Sequence, residues 1–214
     1  MSDDSSQISR RTVIHAATLI GASSVIAPLQ IASGAESAQA FVNFTPSQGA
    51  LLEAIVERLI PRDEHGPGAK EAHVANYIDR ALGDALASSK TSYVSGLAAL
   101  DKYAQASRSK SFLELSHIDQ DSVLIDVETG GATGFTGSSA QFFAMLLNHT
   151  RQGMFGDPYY GGNANFVGWD LVGYPGVRTA VPAEDQKALE ANRLKPARDS
   201  AYDFGGFVKD PHGH

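Results

Sequence analysis

Residues 153–176 read GMFGDPYYGGNANFVGWDLVGYPG, and this stretch restricts the fold more than any other. Seven glycines and six aromatic residues share it, among them Trp169, the single tryptophan of the chain. Glycine reaches backbone conformations closed to other residues and lets chains approach closely. Tyr and Trp supply large rigid faces with a polar tip. A connection this long without secondary structure of its own is usually functional or disordered, and disordered segments are poor in aromatics. The stretch is therefore expected to be an ordered loop that covers or contacts something.

The body before the loop is helical in its spacing. Thr45-Pro46-Ser47-Gln48 combines a cap, a first-turn proline and a capping-box glutamine. Leu51, Leu52, Ile55, Val56, Leu59 and Ile60 then line one helical face up to Pro61. A second helix is predicted over 70–86, burying Val74, Ile78, Leu82 and Ala85, and a third over 91–106 through Val94, Leu97, Leu100 and Tyr103. Ser116 caps a fourth with Asp119 as its box partner, and Ser138 or Ser139 opens a fifth running to about Met154. No period-two run or internal repeat is evident. The expected fold is mainly α: a small domain of about five helices over 41–214, with the long Gly/aromatic loop and an extended C-terminal arm. That tail, 179–214, holds one further short helix near 183–192 and aromatic anchors at Tyr202, Phe204 and Phe207.

The first 40 residues read as an address. Arg10-Arg11 precedes a soft apolar run rich in Ala, Gly, Ser and Thr, and Ala38-Gln39-Ala40 offers small residues at signal-peptidase spacing. The three features resemble a twin-arginine export signal. A transmembrane anchor is the competing reading, and Pro28 with the short, Ser-rich run counts against it. Export to the periplasm is the expectation, and cleavage after Ala40 would make Phe41 the first residue.

A net charge of -7 without a basic stripe argues against a nucleic-acid partner. Absence of cysteine excludes disulfides, thiolate zinc sites and cysteine-held iron–sulfur clusters. His65, His73, His117 and His149 are scattered singly, without a metal-ligand spacing on one helix face. His149, at the end of the aromatic helix, reads as a buried histidine bonded to a backbone carbonyl rather than a proton carrier. The glycines at 131–134 and 160–163 lack the preceding strand and the spacing of a dinucleotide loop. No nucleophile, base and orienter group in sequence. No catalytic, cofactor-binding or metal-binding residue is assigned to this chain.

Three blocks of the loop are recognisable: Phe155-Gly156-Asp157-Pro158-Tyr159-Tyr160-Gly161-Gly162-Asn163, then Gly168-Trp169, then Gly173-Tyr174-Pro175-Gly176. With the opening helix Leu52–Pro61 followed by Arg62-Asp63, and with the leader, they resemble the gluconate 2-dehydrogenase subunit 3 family. Gln152 departs from it, standing where many members carry Glu. The resemblance implies a small, non-flavin subunit of an exported sugar or sugar-acid dehydrogenase. A large FAD-dependent subunit would hold the cofactor and cross the membrane as a passenger, and a third subunit, a cytochrome c with haem, belongs to many such complexes. Membrane association would then be peripheral, through the complex. Asp157, Tyr159, Tyr160, Asn163, Trp169 and Tyr174 are the candidate partner contacts, since Tyr and Trp are enriched at interfaces. The alternative is an independent periplasmic carbohydrate-binding protein or enzyme, with Tyr159, Tyr160, Asn163 and Trp169 lining a sugar cleft. A metal protein built on the scattered histidines is a third reading.

Overall fold

The computed structural model describes residues 40–178 and 180–203. The Arg10–Arg11 leader, Phe204 and Phe207 lie outside the described residues. Within these residues the fold is mainly α and without strands, with seven α-helices: α1 Pro46–Leu59, α2 Val74–Ala81, α3 Lys90–Arg108, α4 His117–Glu128, α5 Ser139–Phe155, α6 Val167–Leu171 and α7 Ala183–Glu190. An isolated bridge between Asp63 and Gly66 is the nearest approach to sheet pairing among the described residues.

The start of α1 is dictated locally. The Thr45 hydroxyl accepts from the Gln48 amide at 3.3 Å, and the Gln48 side chain accepts from the Thr45 amide at 3.0 Å. This reciprocal cap satisfies two donors that a helix start otherwise leaves open. Leu52, Ile55 and Val56 are fully buried on its inner face. Ser116 and Ser138 cap α4 and α5 by accepting from the Asp119 and Gln141 amides, without a reciprocal bond to the cap amide; the expected box partner Asp119 instead accepts from the Ser116 hydroxyl.

Two helices differ from the sequence expectation. The second begins at Val74, because His73 sits at φ 55°, a left-handed conformation that cannot continue a helix. It ends at Ala81, and Leu82 to Leu86 turn back, with the Leu86 amide bonding to the Ala81 carbonyl at 2.7 Å. Leu82 is buried as expected, whereas Ala85 is exposed. On α3 the buried face is turned by one residue: Tyr93 is fully buried and Val94 is exposed. Gly96 sets this, for a side chain there would collide with the Phe142 ring of α5. The close approach draws Tyr93 inward, edge-on to Phe44 and Phe142.

Helix α5 is the centre, packed against α1, α2, α3 and α4. Its inner face carries Phe142, Phe143, Leu146, His149, Thr150, Gly153 and Met154, the i, i+3, i+4, i+7 spacing of one helical side. The chain entering α1 is fastened to this core by Asp79 of α2. Its buried carboxylate accepts from the amides of Val42, Asn43 and Phe44 at 2.7, 2.8 and 2.9 Å. Hydrogen bonds to an ionised acceptor are worth about twice neutral ones, so the folded domain is firmly anchored from residue 42 onward.

His149 is buried as expected, but its partner is a side chain rather than a carbonyl. Nδ1 lies 3.0 Å from the Tyr93 hydroxyl and the two rings stack. Burial pushes the imidazole below its usual value of 6.5 and the Tyr93 hydroxyl well above its own. As pH falls, the unfolded chain therefore takes up this proton before the folded chain does. Stability from neutral His149 is complete above the unfolded value of 6.5 and is lost as pH drops toward the depressed folded value. Urea midpoints measured at about pH 7.5 and about pH 5.5 should fall more steeply in the natural chain than in His149→Gln.

Candidate functional site

The loop exists to finish α5. The last carbonyls of a helix have no partner within it, and the end of α5 is buried through Met154. The loop brings donors to these carbonyls one after another. The Gly156 amide bonds to Gln152 O at 2.8 Å and the Asn163 amide to Gly153 O at 2.7 Å. Trp169 Nε1 donates to Phe155 O at 2.9 Å, and Asn163 Nδ2 to Gly156 O at 2.9 Å. Asn163 Oδ1 accepts in turn from the Gly168 amide at 2.8 Å. Gly168 passes so close that any side chain would strike the Met154 carbonyl.

Three residues of the loop, Asn163, Asn165 and Phe166, adopt left-handed φ of 44°, 55° and 63°. Asn tolerates this conformation better than most residues, whereas Phe does not. The strain is held by the surrounding bonds and starts the short helix α6, where the sequence predicts loop. Trp169 on α6 packs edge-on to Tyr174 at 4.7 Å and against Phe166 at 5.5 Å. The Ala164 amide ties the loop to Ala72 O at 3.2 Å, ahead of α2.

The six candidate contact residues therefore divide. Asn163 is fully enclosed and Trp169 is 7 % exposed, so both build the loop from inside. Asp157 caps the turn after α5 by accepting from the Tyr159 amide at 2.9 Å. It also accepts from Ser200 Oγ at 2.6 Å and the Ala201 amide at 2.8 Å. Tyr159 is covered by Tyr202, stacked at 3.5 Å with 15° between the planes. Tyr160 is 51 % exposed and shares a 3.2 Å hydroxyl contact with Tyr202, which pushes its hydroxyl up to about 12. Tyr174 is also exposed, and beside it stand Leu171 and Val172, the latter 59 % exposed.

Leu171, Val172 and the arm residues Arg198, Ser200 and Ala201 did not stand out in the sequence. An apolar pair before Gly173 was the available signal for the first two. The arm carries no local pattern, because its partners are about thirty to forty residues away. Gln152 receives the Tyr77 hydroxyl at 3.1 Å, which links α5 to α2.

A shallow cleft of about 290 Å³ lies elsewhere, between α1, α4 and α5. Arg58 and Asp121 in its wall pair through two hydrogen bonds at 2.7 and 2.8 Å. That pairing holds the Asp121 carboxyl below its ordinary value and raises the guanidinium, so neither is poised to exchange a proton. Among the described residues, no three of His, Asp and Glu are grouped to hold a metal ion. Among the same residues, no helix is long and apolar enough to cross a membrane.

Fold and loop together define a small all-helical protein whose most elaborate feature is a pinned aromatic–glycine cover with an exposed apolar tip. A family model described as gluconate 2-dehydrogenase subunit 3 matches residues 46–176, more than half of the chain, from the start of α1 to the end of the loop. The chain belongs to that family, whose name describes one subunit of a multi-subunit dehydrogenase. No curated protein and no solved structure matches it.

The pinning makes Asn163 the test of the loop. Asn163→Ala removes two side-chain hydrogen bonds and strands the Gly156 carbonyl and the Gly168 amide, at a cost of about 2–3 kcal/mol. The urea midpoint should fall accordingly. Emission from Trp169, the single tryptophan, should shift to the red as the loop loosens.

Proposed function

We propose that this chain is the non-catalytic small subunit of an exported FAD-dependent sugar or sugar-acid dehydrogenase. On this reading it escorts and stabilises a large flavoprotein that holds FAD and performs the oxidation. The carrying observation is the architecture of the loop. The polar groups of Asn163 and Trp169 are engaged in completing α5, while Leu171, Val172 and Tyr174, and separately Tyr160, are left exposed. Rigid exposed aromatics beside apolar side chains are the composition of interface cores. In this scheme FAD is held by the large partner subunit, as the likeness to the gluconate 2-dehydrogenase subunit 3 family implies. A cytochrome c subunit with haem is the onward electron acceptor in this scheme.

The leader supports the location. Arg10-Arg11, the soft apolar run and Ala38-Gln39-Ala40 give the chain an export signal of the twin-arginine type, so the complex is periplasmic and the large subunit travels with it. The sugar-cleft alternative needs Asn163 and Trp169 open and Tyr159 uncovered. All three are engaged within the chain, which favours the subunit reading.

Two experiments separate the parts of the proposal. Leu171→Asp with Val172→Asp should reduce recovery of the co-expressed flavoprotein at least about tenfold while leaving Trp169 emission unchanged, since exposed charges barely alter folding. Undiminished recovery would remove the loop tip from the interface. Replacing Arg10 and Arg11 by Lys should retain both chains in the cytoplasm. A flavoprotein still found in the periplasm would end the passenger mechanism without touching the interface.

A further inference from the structure

The loop carries a second surface, beside the exposed tip, that is already filled. Asp157, Tyr159, Asp170 and the carbonyls of Asn165 and Pro175 form a shallow track, and residues 197–202 run along it. The Ala197 amide donates to Pro175 O at 2.9 Å. Arg198 pairs with Asp170 and donates to Asn165 O at 3.1 Å. Ser200 Oγ and the Ala201 amide take the two oxygens of Asp157. Tyr202 stacks on Tyr159 and reaches the Tyr160 hydroxyl. The track lies within the family-matched stretch, and the segment filling it lies beyond.

The filling segment is lightly held. None of the described residues from 180 to 203 is buried. Its contacts are one ring stack and a few exposed or part-buried polar bonds, with no buried apolar side chain among them. The fit is also incomplete at its base. Arg178 bonds to Asp185 and to Lys195 O, yet its enclosed Nε finds no acceptor among the described residues. Segments with few buried apolar contacts open at the low end of a protein's stability range. The track beneath is different, fixed by Asn163, Gly168 and Trp169 to the end of α5.

We propose that this track is a docking groove for an extended segment of the dehydrogenase partner, and that the chain's own arm, 197–202, plugs it until that partner arrives. The partner segment carries the chemistry that the arm displays: a guanidinium for Asp170, two N–H or O–H donors for Asp157 and a flat ring for Tyr159. The identity of the partner rests on the subunit reading above; the existence of an exchangeable groove does not.

Hydrogen exchange followed peptide by peptide tests both levels on the full chain, alone and co-purified with the flavoprotein. Alone, the amides of Ala197, Ala201 and Asp203 should exchange at least about tenfold faster than those of Asn163 and Gly168. In the complex, 157–160 should remain protected while 197–203 loses protection. Arm amides as slow as Asn163 in the free chain, or an arm that gains protection in the complex, would overturn the proposal. If no complex forms, the subunit reading fails and the groove is decided separately. A full chain carrying Arg198→Ala and Tyr202→Ala should lose protection at 157–160, and a free peptide spanning residues 195–203 should restore it saturably. Failure of that peptide to restore protection would show that no docking groove is present.

Discussion

The buried C-terminal end of α5 is the constraint from which the rest of the structure follows. A helix whose last turn faces water can leave its carbonyls to solvent, but Gly153 and Met154 lie inside the protein. Their neighbours must be satisfied from the chain itself. One amide side chain, one indole and two backbone amides do this, all drawn from the fifteen or so residues that follow. The cost is backbone strain at Asn163, Asn165 and Phe166, of order 1–3 kcal/mol for each such residue. It persists because Asn163 bonds in three directions at once. The ornament of the loop is therefore structural at its base, and whatever it offers a partner is offered from a fixed platform.

That platform explains why aromatic side chains in one loop end with opposite roles. Trp169 lies on the inner side of α6, where its N–H has a carbonyl to reach, and Tyr174 packs on its edge with one side open. Leu171 and Val172, at the end of the same short helix, have no inner position left and point outward. An apolar tip on a mobile loop would lose much of its binding energy to ordering. Held at the end of α5, it is already ordered, which is the condition under which a few apolar residues can dominate an interface.

Much of the helical body was legible because its signals are local. Thr45 with Gln48, Ser116 with Asp119 and the spacing from Leu52 to Val56 require only neighbouring residues to be read. The errors arise where a distant contact decides. Val94 and Tyr93 are equally plausible inward residues until Phe142 is placed over Gly96. His73 reads as helical until Ala69 and Ala72 are buried and the Ala72 carbonyl is taken by Ala164. His149 was recognisable as a buried histidine, but its hydroxyl partner is 56 residues away. In the loop the composition announced order and contact. It could not divide inner from outer residues, because Asn163 and Tyr160 look equally suited to recognition until the end of α5 is drawn between them.

The arm changes what the surface of the loop means. A surface that held Asp157 and Tyr159 open would present a carboxylate and a bare ring to any passing basic or aromatic segment. Covering them with a segment of the same chain makes the groove selective, since an entering segment must replace every contact it displaces. A tether of this kind supplies its plug at an effective concentration in the millimolar range, so weak individual contacts suffice to exclude casual binders. A partner anchored at Leu171–Tyr174 escapes that competition, because its own segment is then equally local to the groove. On the proposed reading, two such surfaces, one open and one exchangeable, would give ordered association: the apolar tip would engage first, and the arm would yield only to a chain already held there.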